Sequence, residues 1–206
     1  MPTLLVATTN AGKRQEIVKL LDGLEIQLKT LADFPNAPIA EETAPTFVEN
    51  ARQKAFHYAA LSGLPTVAED SGFEVDALDG APGVHSARYL GAEVTYPERF
   101  EEIYRAVRQR GYEGSAVRFV CALTLASATR ILFETTGVVE GLLAPKPAGK
   151  EGFGYDPIFF YPPYGRTLGQ VSPEAKSAVS HRGKAFAALR TFLAQRRDAK
   201  NAENWF

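Results

Sequence analysis

Residues 3–13 read TLLVATTNAGK, an apolar run that passes into a polar turn and then into the start of a helix. The apolar part predicts a short buried strand, and Asn10 is a helix-capping residue. A strand followed at once by a helix places backbone N–H groups, the positive helix end and Lys13 together, which suits a phosphate. The segment is not a Walker A loop, which needs glycine at Ala7 and Ser or Thr at Arg14. An ordinary capped helix with a surface lysine fits the same letters equally well.

The rest of the chain alternates between predicted strands and helices. This alternation indicates an α/β class with a central mixed sheet, in one domain over residues 1–206 because no linker divides it. Thr46 and Glu49 have the spacing of a capping box. Residues 196–206 are predicted to form a polar, frayed tail. The sequence predicts helices from Asn10 to Gly23 and over residues 46–62, 97–111 and 181–195, and strands over 25–31, 66–68, 73–77, 117–127 and 131–140.

Composition excludes several classes of protein. The formal net charge of −1 leaves no broad basic field for a nucleic-acid backbone. Cys121 is the single cysteine, so neither an intrachain disulfide nor a cysteine metal cluster is expected, and its apolar surroundings predict a buried thiol. No stretch reads as a signal peptide or a membrane span. A cytoplasmic protein without a nucleic-acid or membrane partner is therefore expected.

Acidic residues occur in two places that could face a phosphate. Glu41 and Glu42 lie in a predicted loop, and Glu69-Asp70-Ser71-Gly72 follows a predicted strand, where α/β folds place ligands. Carboxylates suit Mg²⁺, which is held by a few of them together with substrate phosphate oxygens. Solvated acidic loops are the competing interpretation. Lys54 is a further basic candidate, although a lysine within a helix is usually only a solvated side chain.

A glycine-rich loop supplies candidates for binding a nucleobase. Phe153-Gly154-Tyr155-Asp156 combines two aromatic rings, a flexible glycine and an acid, so a base could stack there and form hydrogen bonds. A tight turn with its aromatic rings in the core is the alternative. Lys176, His181 and Arg182 place donors just before or at the start of the last predicted helix. A histidine in such a place is more often structural than catalytic.

Taken together, five segments resemble the inosine triphosphate pyrophosphatase family, also described as the ITP/XTP/dITP pyrophosphatases. They occur in order over almost the whole chain, so chance agreement is excluded in practice. The segments are ATTNAGKRQEI (7–17), EETAPTFVENARQKA (41–55), EDSGFEVDALDGAPGVHSARY (69–89), GFGYDPIF (152–159) and EAKSAVSHRGKA (174–185).

The resemblance implies both a fold and a reaction. The family's fold is an elongated α/β structure with a central mixed sheet flanked by helices and two lobes with a substrate cleft between them, and its members are usually homodimers. The reaction is the hydrolysis of a purine nucleoside triphosphate such as ITP, dITP or XTP to the monophosphate and pyrophosphate. Trp205 and Phe206 add only weak support for the homodimer.

The resemblance also implies roles for individual residues. Asp70 becomes the general base and, with Glu41 or Glu42, a ligand of Mg²⁺; it either orients or deprotonates the attacking water. Lys54, the further basic candidate on the second predicted helix, is expected to contact the phosphates as well. The implied substrate contacts are Thr8, Thr9, Asn10, Ala11, Gly12, Lys13, Ser71, Phe153, Gly154, Tyr155, Asp156, Lys176, His181 and Arg182.

Two positions depart from the family pattern. Many members carry two aspartates before the Ser-Gly pair, whereas this chain has Glu69-Asp70, so a metal or water contact by Glu69 is in doubt. His85 stands where a tyrosine is common and is expected to affect packing only.

Two alternative functions remain: a Maf-like nucleotide pyrophosphatase with a preference for other bases, and a non-catalytic nucleotide sensor. The GFGYDP and SHRG segments favour the first assignment over the Maf-like one.

Overall fold

The computed structural model describes residues 1–199 of the chain. Within them lies a seven-stranded sheet with the order β2-β1-β3-β4-β5-β6-β7. The strands are β1 (Thr3–Ala7), β2 (Gln27–Thr30), β3 (Thr66–Val75), β4 (Ala116–Ala126), β5 (Ile131–Leu143), β6 (Phe159–Tyr161) and β7 (Arg166–Thr167). The α-helices are α1 (Ala11–Leu21), α2 (Phe47–Ser62), α3 (Tyr96–Gln109), α4 (Pro173–Val179) and α5 (His181–Ala199).

The sheet is mixed, as the alternation of elements predicted. β1 runs parallel to both of its neighbours, with Leu5 opposite Lys29 of β2 and Thr66 of β3. β6 is antiparallel to both β5 and β7. Parallel neighbours need a crossover, and α1 and α2 supply the crossovers on either side of β2. The predicted α/β class with a central mixed sheet is confirmed.

Local capping accounts for where the first two helices begin. The Asn10 side chain accepts a hydrogen bond from the Lys13 backbone N–H, with an N–O distance of 3.0 Å. The Thr46 hydroxyl accepts one from the Glu49 backbone N–H at 3.2 Å. Each cap satisfies a donor that the first helical turn leaves without an intrahelical partner. Both predicted helix starts are therefore confirmed.

The third strand differs from its prediction. β3 is continuous from Thr66 to Val75, so Glu69-Asp70-Ser71-Gly72 lies inside a strand and not at its end. The prediction of two shorter strands was wrong. Most residues of β3 are buried, and buried and exposed residues do not alternate as they do in a strand with one solvent-exposed face. A strand covered on both faces gives no period-two signal, and its polar residues look like a break in the sequence.

The described part of the chain divides into two compact units, and the first comprises residues 1–70, 121–137 and 182–199. One apolar cluster of this unit combines β1 and α1 with α5, through side chains such as Leu4, Ile17 and Phe186. Cys121 is fully buried in that cluster, which confirms the prediction for the thiol. A second cluster packs Leu5 and Ala68 against α2. Helix α2 is thus held against the strands by its apolar face.

The second unit comprises residues 71–120 and 138–181. Its core is rich in aromatic rings: Phe73 stacks on Tyr155 with ring centroids 4.9 Å apart, and Phe119 stacks on Phe159 at 4.8 Å. Offset aromatic pairs of this kind stabilise a core by more than the burial of their apolar surface alone provides.

Leu143 N–H donates to the Ser115 carbonyl, so β4 and β5 are paired in an antiparallel hairpin.

The C-terminal helices also refine the prediction. α5 begins at His181 as predicted but continues to Ala199, past the predicted end near residue 195. The short helix α4 before it was not predicted. Residues 200–206, with Trp205, Phe206 and most of the predicted tail, lie outside the described residues. Over residues 1–199 no helix is long and apolar enough to cross a membrane.

Candidate active site

The segment that joins β1 to α1 carries the first predicted contacts. Thr9, Asn10 and Ala11 are exposed, and the buried Thr8 hydroxyl accepts a hydrogen bond from the Asn10 N–H at 3.2 Å. Gly12 and Lys13 follow in the first turn of α1. The Lys13 ammonium is turned inward and forms an ion pair with Glu69, with an N–O distance of 3.2 Å. This arrangement keeps a cation at the positive end of a helix, where an anion is stabilised.

Glu69 is the centre of a buried charge network in the first unit. Its Oε1 accepts from the Arg182 guanidinium at 3.1 and 3.3 Å and also faces Lys13. The Cys121 thiol donates to its Oε2 at 3.6 Å. Arg182 in turn donates to Glu16 at 2.7 Å. Burial lowers the pKa of the Arg182 guanidinium, but Glu69, Cys121 and Glu16 together outweigh burial, so the pKa is raised on balance. Glu69 therefore serves as a counter-ion in this structure.

Asp70, the next residue, is held by groups of helix α2. Its Oδ2 accepts a hydrogen bond from the Asn50 side-chain amide at 3.1 Å. Its Oδ1 lies 4.0 Å from the Lys54 ammonium. Lys54 is buried, donates to the Glu69 carbonyl at 3.2 Å and pairs with Glu42 at 2.9 Å. The competing interpretation of Lys54 as a solvated side chain is therefore wrong, because this lysine is buried between two carboxylates.

The surroundings of Asp70 change its acidity. Burial raises the pKa of its carboxyl above the ordinary value, while Lys54 and Lys13 act in the opposite direction. Glu42 and Glu69 add to the rise, because like charges disfavour ionisation. A carboxylate with a raised pKa is a stronger base than an exposed one, and two lysines keep part of its charge compensated.

Two carboxylates, those of Glu42 and Asp70, are the candidates for holding a metal ion. No group of three or more His, Cys, Asp or Glu side chains arranged for a metal occurs in residues 1–199. Glu42 and Asp70 do share one lysine, so two carboxylates are already close to each other, whereas Glu41 is exposed. Mg²⁺ is usually held by one or two carboxylates plus substrate phosphates, and a site of this kind needs no larger cage. Of the predicted metal ligands, Glu42 and Asp70 have the better placement.

In the second unit, three predicted residues meet in one cluster. Asp156 Oδ2 accepts from the Lys176 ammonium at 2.6 Å and from the Phe153 backbone N–H at 2.8 Å. The same ammonium lies 4.5 Å from the centre of the Phe153 ring, within cation–π range. Gly152 has a φ of +72°, and a Cβ on it would collide with the Asp156 carboxylate. Glycine is thus required there for the loop to close over Asp156.

The other predicted residues of this unit are placed differently. Tyr155, beside Gly154, is a core residue whose ring stacks on Phe73 and whose hydroxyl donates to the Ser86 carbonyl at 2.9 Å. The His181 ring is buried and stacks on Phe119 with centroids 4.9 Å apart. Ser71 is half-buried in β3. The alternative of an aromatic ring in the core therefore applies to Tyr155, while Phe153 takes part in the charged cluster.

Three residues of the first unit's cluster were not singled out as site residues from the sequence. Asn50 and Glu16 were not considered, and Glu69 was considered only as a doubtful metal contact. A signal existed for Asn50, because it precedes Lys54 by four residues in a capped helix and so shares its face. No local pattern could reveal the pairing of Glu69 and Glu16 with Arg182, which lies far away in the sequence.

The fold and these clusters define a class of protein: an α/β protein that sets buried carboxylates and lysines beside a helix N-terminus, as phosphate-handling enzymes do. Residues 4–192 match the Ham1 family. The chain belongs to the Ham1 family, and the resemblance drawn from the five sequence segments is confirmed.

Individual relatives are similar over nearly their whole length. A dITP/XTP pyrophosphatase of Geobacter sulfurreducens is 44% identical over 193 residues, which cover 94% of this chain and 97% of the relative. A dITP/XTP pyrophosphatase of Listeria monocytogenes is 40% identical over 195 residues, covering 95% and 96%. Among solved structures, a HAM1 protein from Coxiella burnetii has a TM-score of 0.88 at 40% identity and covers 95% of this chain and 100% of its own.

Proposed function

We propose that this chain hydrolyses non-standard purine nucleoside triphosphates (ITP, dITP and XTP) to the monophosphate and pyrophosphate, and so cleanses the nucleotide pool. The observation that carries the proposal is the buried Asp70 carboxylate held between Asn50 and Lys54. Relatives named dITP/XTP pyrophosphatases, 44% and 40% identical over nearly the whole chain, support the substrate class.

The basic residues of the first unit are proposed to bind the triphosphate. The N-terminus of α1 offers backbone donors, and Lys13 stands in its first turn. Lys54 is a second cation close to Asp70. Positive groups fixed before the substrate arrives stabilise developing negative charge without reorganisation, which is the main electrostatic contribution to such reactions.

Asp70 is proposed to act on the attacking water. The water would attack the α-phosphorus, the bond to the bridging oxygen would break, and pyrophosphate would leave. Asp70 orients this water or accepts its proton. Because a carboxylate that binds Mg²⁺ is a weak base, orientation of the water is the favoured role. Mg²⁺, for which Glu42 and Asp70 are the proposed ligands, would supply charge neutralisation on the phosphate oxygens when bound.

The cluster in the second unit is proposed to select the base. Hypoxanthine and xanthine carry a carbonyl acceptor at position 6, where adenine has an amino donor. The Lys176 ammonium carries only donors, so it pairs with the carbonyl and opposes the adenine amino group. Guanine must be rejected at position 2, where it has a donor and xanthine an acceptor. Phe153 is proposed to stack on the purine, and His181 stays an additional candidate donor. Arg182, also a candidate from the sequence, is instead paired with Glu69 and Glu16 in the first unit.

The alternatives are less well supported. A non-catalytic sensor would gain nothing from buried carboxylates beside a polyanion unless a metal were present. A Maf-like enzyme would prefer other bases, and the matched family is Ham1. Both alternatives predict no pyrophosphate from ITP, so one assay separates them from our proposal.

The deciding experiment is phosphorus NMR of the products formed from ITP and Mg²⁺. We expect inosine monophosphate and pyrophosphate, with much less product from ATP and GTP at the same concentration. Orthophosphate as the first product would contradict attack at the α-phosphorus. Binding of ITP without turnover would favour the sensor.

Assembly and location are also part of the proposal. A homodimer is proposed on the family resemblance, and light scattering at micromolar concentration would refute it by reporting a monomer. A cytoplasmic location is proposed because the nucleotide pool that supplies such substrates is there.

A further inference from the structure

Asn50 connects two parts of the candidate active site. It lies on α2, is only 1% exposed and uses its side-chain amide in three hydrogen bonds. The Nδ2 group donates to Asp70 Oδ2 at 3.1 Å and to the Ala44 carbonyl at 3.2 Å. The Oδ1 atom accepts from the Ala44 N–H at 3.0 Å. Both amide hydrogens and the carbonyl oxygen therefore have partners.

This network allows only one orientation of the amide. Rotating it by half a turn would point Oδ1 at two acceptors, the Asp70 carboxylate and the Ala44 carbonyl, and would point Nδ2 at the Ala44 N–H donor. A buried polar group without a suitable partner is costly, so the observed orientation is strongly favoured. The donor side of Asn50 is thereby aimed at Asp70.

The same residue also anchors the loop that carries Glu41 and Glu42. Ala44 is bound by Asn50 through both of its backbone polar groups, and Glu42 pairs with Lys54 one helical turn further along α2. Elsewhere in this loop Ala40 N–H donates to the Tyr58 hydroxyl at 3.2 Å. Helix α2 thus holds the acidic loop at several points, and two of the side chains involved, Asn50 and Lys54, also reach Asp70. Lys54 lies 4.0 Å from Asp70, whereas Asn50 donates a hydrogen bond to it at 3.1 Å.

We propose that Asn50 is a positioning residue for the hydrolysis: it sets the orientation of the Asp70 carboxylate and ties the Glu42 loop to the same point. This inference rests on the function proposed above. With Oδ2 bound to Asn50, the carboxylate plane is set and Oδ1 is the oxygen directed toward Lys54. Misplacing a reacting group by about 1 Å costs about 100-fold in rate, so a single lost hydrogen bond here has a measurable kinetic effect.

The test compares Asn50→Ala with Tyr58→Phe, which removes one tether of the same loop without touching Asp70. For Asn50→Ala at saturating Mg²⁺ we expect kcat for ITP to fall about 10- to 100-fold and KM to change by less than about threefold. Tyr58→Phe should keep kcat within about threefold of wild type. Equal losses of kcat in both variants, or a change confined to KM, would overturn the inference.

Combining Asn50→Ala with Asp70→Asn tests whether Asn50 acts through Asp70. Because the two groups act as a unit, Asn50→Ala should lower kcat by less than about threefold when Asp70 is already replaced. An undiminished 10- to 100-fold loss in that background, about the same as in the wild type, would overturn the inference. Asn50→Asp provides a second variant of nearly the same size, and it should lose at least as much kcat because a like charge then faces Asp70.

Thermal unfolding in EDTA gives a readout that needs neither activity nor metal. The Tm loss caused by Asn50→Ala should be smaller by about 2 °C or more in the Asp70→Asn background, because the shared hydrogen bond is already altered. If the Tm losses of the two single variants simply added in the double variant, the inferred coupling between Asn50 and Asp70 would be wrong. Wild-type protein that leaves ITP intact would refute the proposed function instead, so the two failures are distinguishable.

Discussion

Replacing Glu69 by glutamine tests the buried charge network that underlies the first unit's site. The substitution conserves size and removes one negative charge. Arg182 would keep Glu16, at 2.7 Å, as its remaining carboxylate. The side chains of Glu69 and Arg182 are 1% and 2% exposed, so solvent cannot replace the lost charge. The expected result is a large loss of stability.

The magnitude follows from the geometry. Removing one partner of a buried ion pair costs about 3–5 kcal/mol, because the other charge stays buried without compensation. Since Glu16 still faces Arg182, we expect the lower end, about 3 kcal/mol. For a chain of this size each kcal/mol lowers Tm by about 2–4 °C, so the expected shift is about 6–12 °C.

The assay is urea and thermal unfolding of Glu69→Gln beside two matched variants. Glu16→Gln removes the other, more exposed partner of Arg182 and should cost less. Glu102→Gln removes the half-buried partner of Arg105 on α3; because the Arg105 side chain is exposed and stays solvated, the unfolding free energy should be nearly unchanged. A loss below about 1 kcal/mol for Glu69→Gln would refute the reasoning, because it would place Glu69 in the class of surface ion pairs.

Three further predictions concern catalysis and base choice. Asp70→Asn should lower kcat, measured with ITP at saturating Mg²⁺, by about two to four powers of ten without lowering Tm. If this variant kept nearly the wild-type kcat, Asp70 would not be the catalytic residue. Because the pKa of Asp70 is raised, kcat/KM, which reports ionisation of the free enzyme, should decline on acidification at a higher pH than an exposed aspartate would require. Lys54→Gln removes a lysine that lowers this pKa, so it should move the midpoint of the kcat/KM–pH profile further up, and an unchanged midpoint would refute that cause. Phe153→Ala should reduce kcat/KM for ITP, XTP, GTP and ATP together, whereas Lys176→Gln should narrow the gap between ITP and ATP; an equal loss for all four substrates in both variants would contradict the account of base selection.

The sequence analysis was accurate for most features that local interactions decide, although helix α4, which Ser172 caps locally, was missed. The caps at Asn10 and Thr46 join residues three positions apart, so their letters alone predict where the helices begin. The alternation of apolar strands and helices likewise predicts the mixed α/β sheet. The family segments extend over most of the chain, and family membership followed from them.

Sequence reasoning was less accurate where two interpretations share the same letters. Phe153 and Tyr155 flank one glycine, yet Tyr155 packs on Phe73 and Phe153 lies beside Lys176. Which ring enters the core depends on the space left by distant residues. β3 was divided into two strands for a related reason, because burial on both faces removes the alternation that reveals a strand.

The residues of the chain by themselves determined the class of fold, the helix starts, the family and the set of acids and bases available for chemistry. Only the tertiary structure decided which of those charges are paired. Glu69 and Arg182 are 113 positions apart, and Asn50 reaches Asp70 across 20. Capping and periodicity arise from neighbours along the chain, whereas an ion pair between distant elements forms only where packing buries both partners together. The physical reason is that the strength of a charge pair depends on both partners being buried together, and no local pattern encodes that for residues far apart in the sequence.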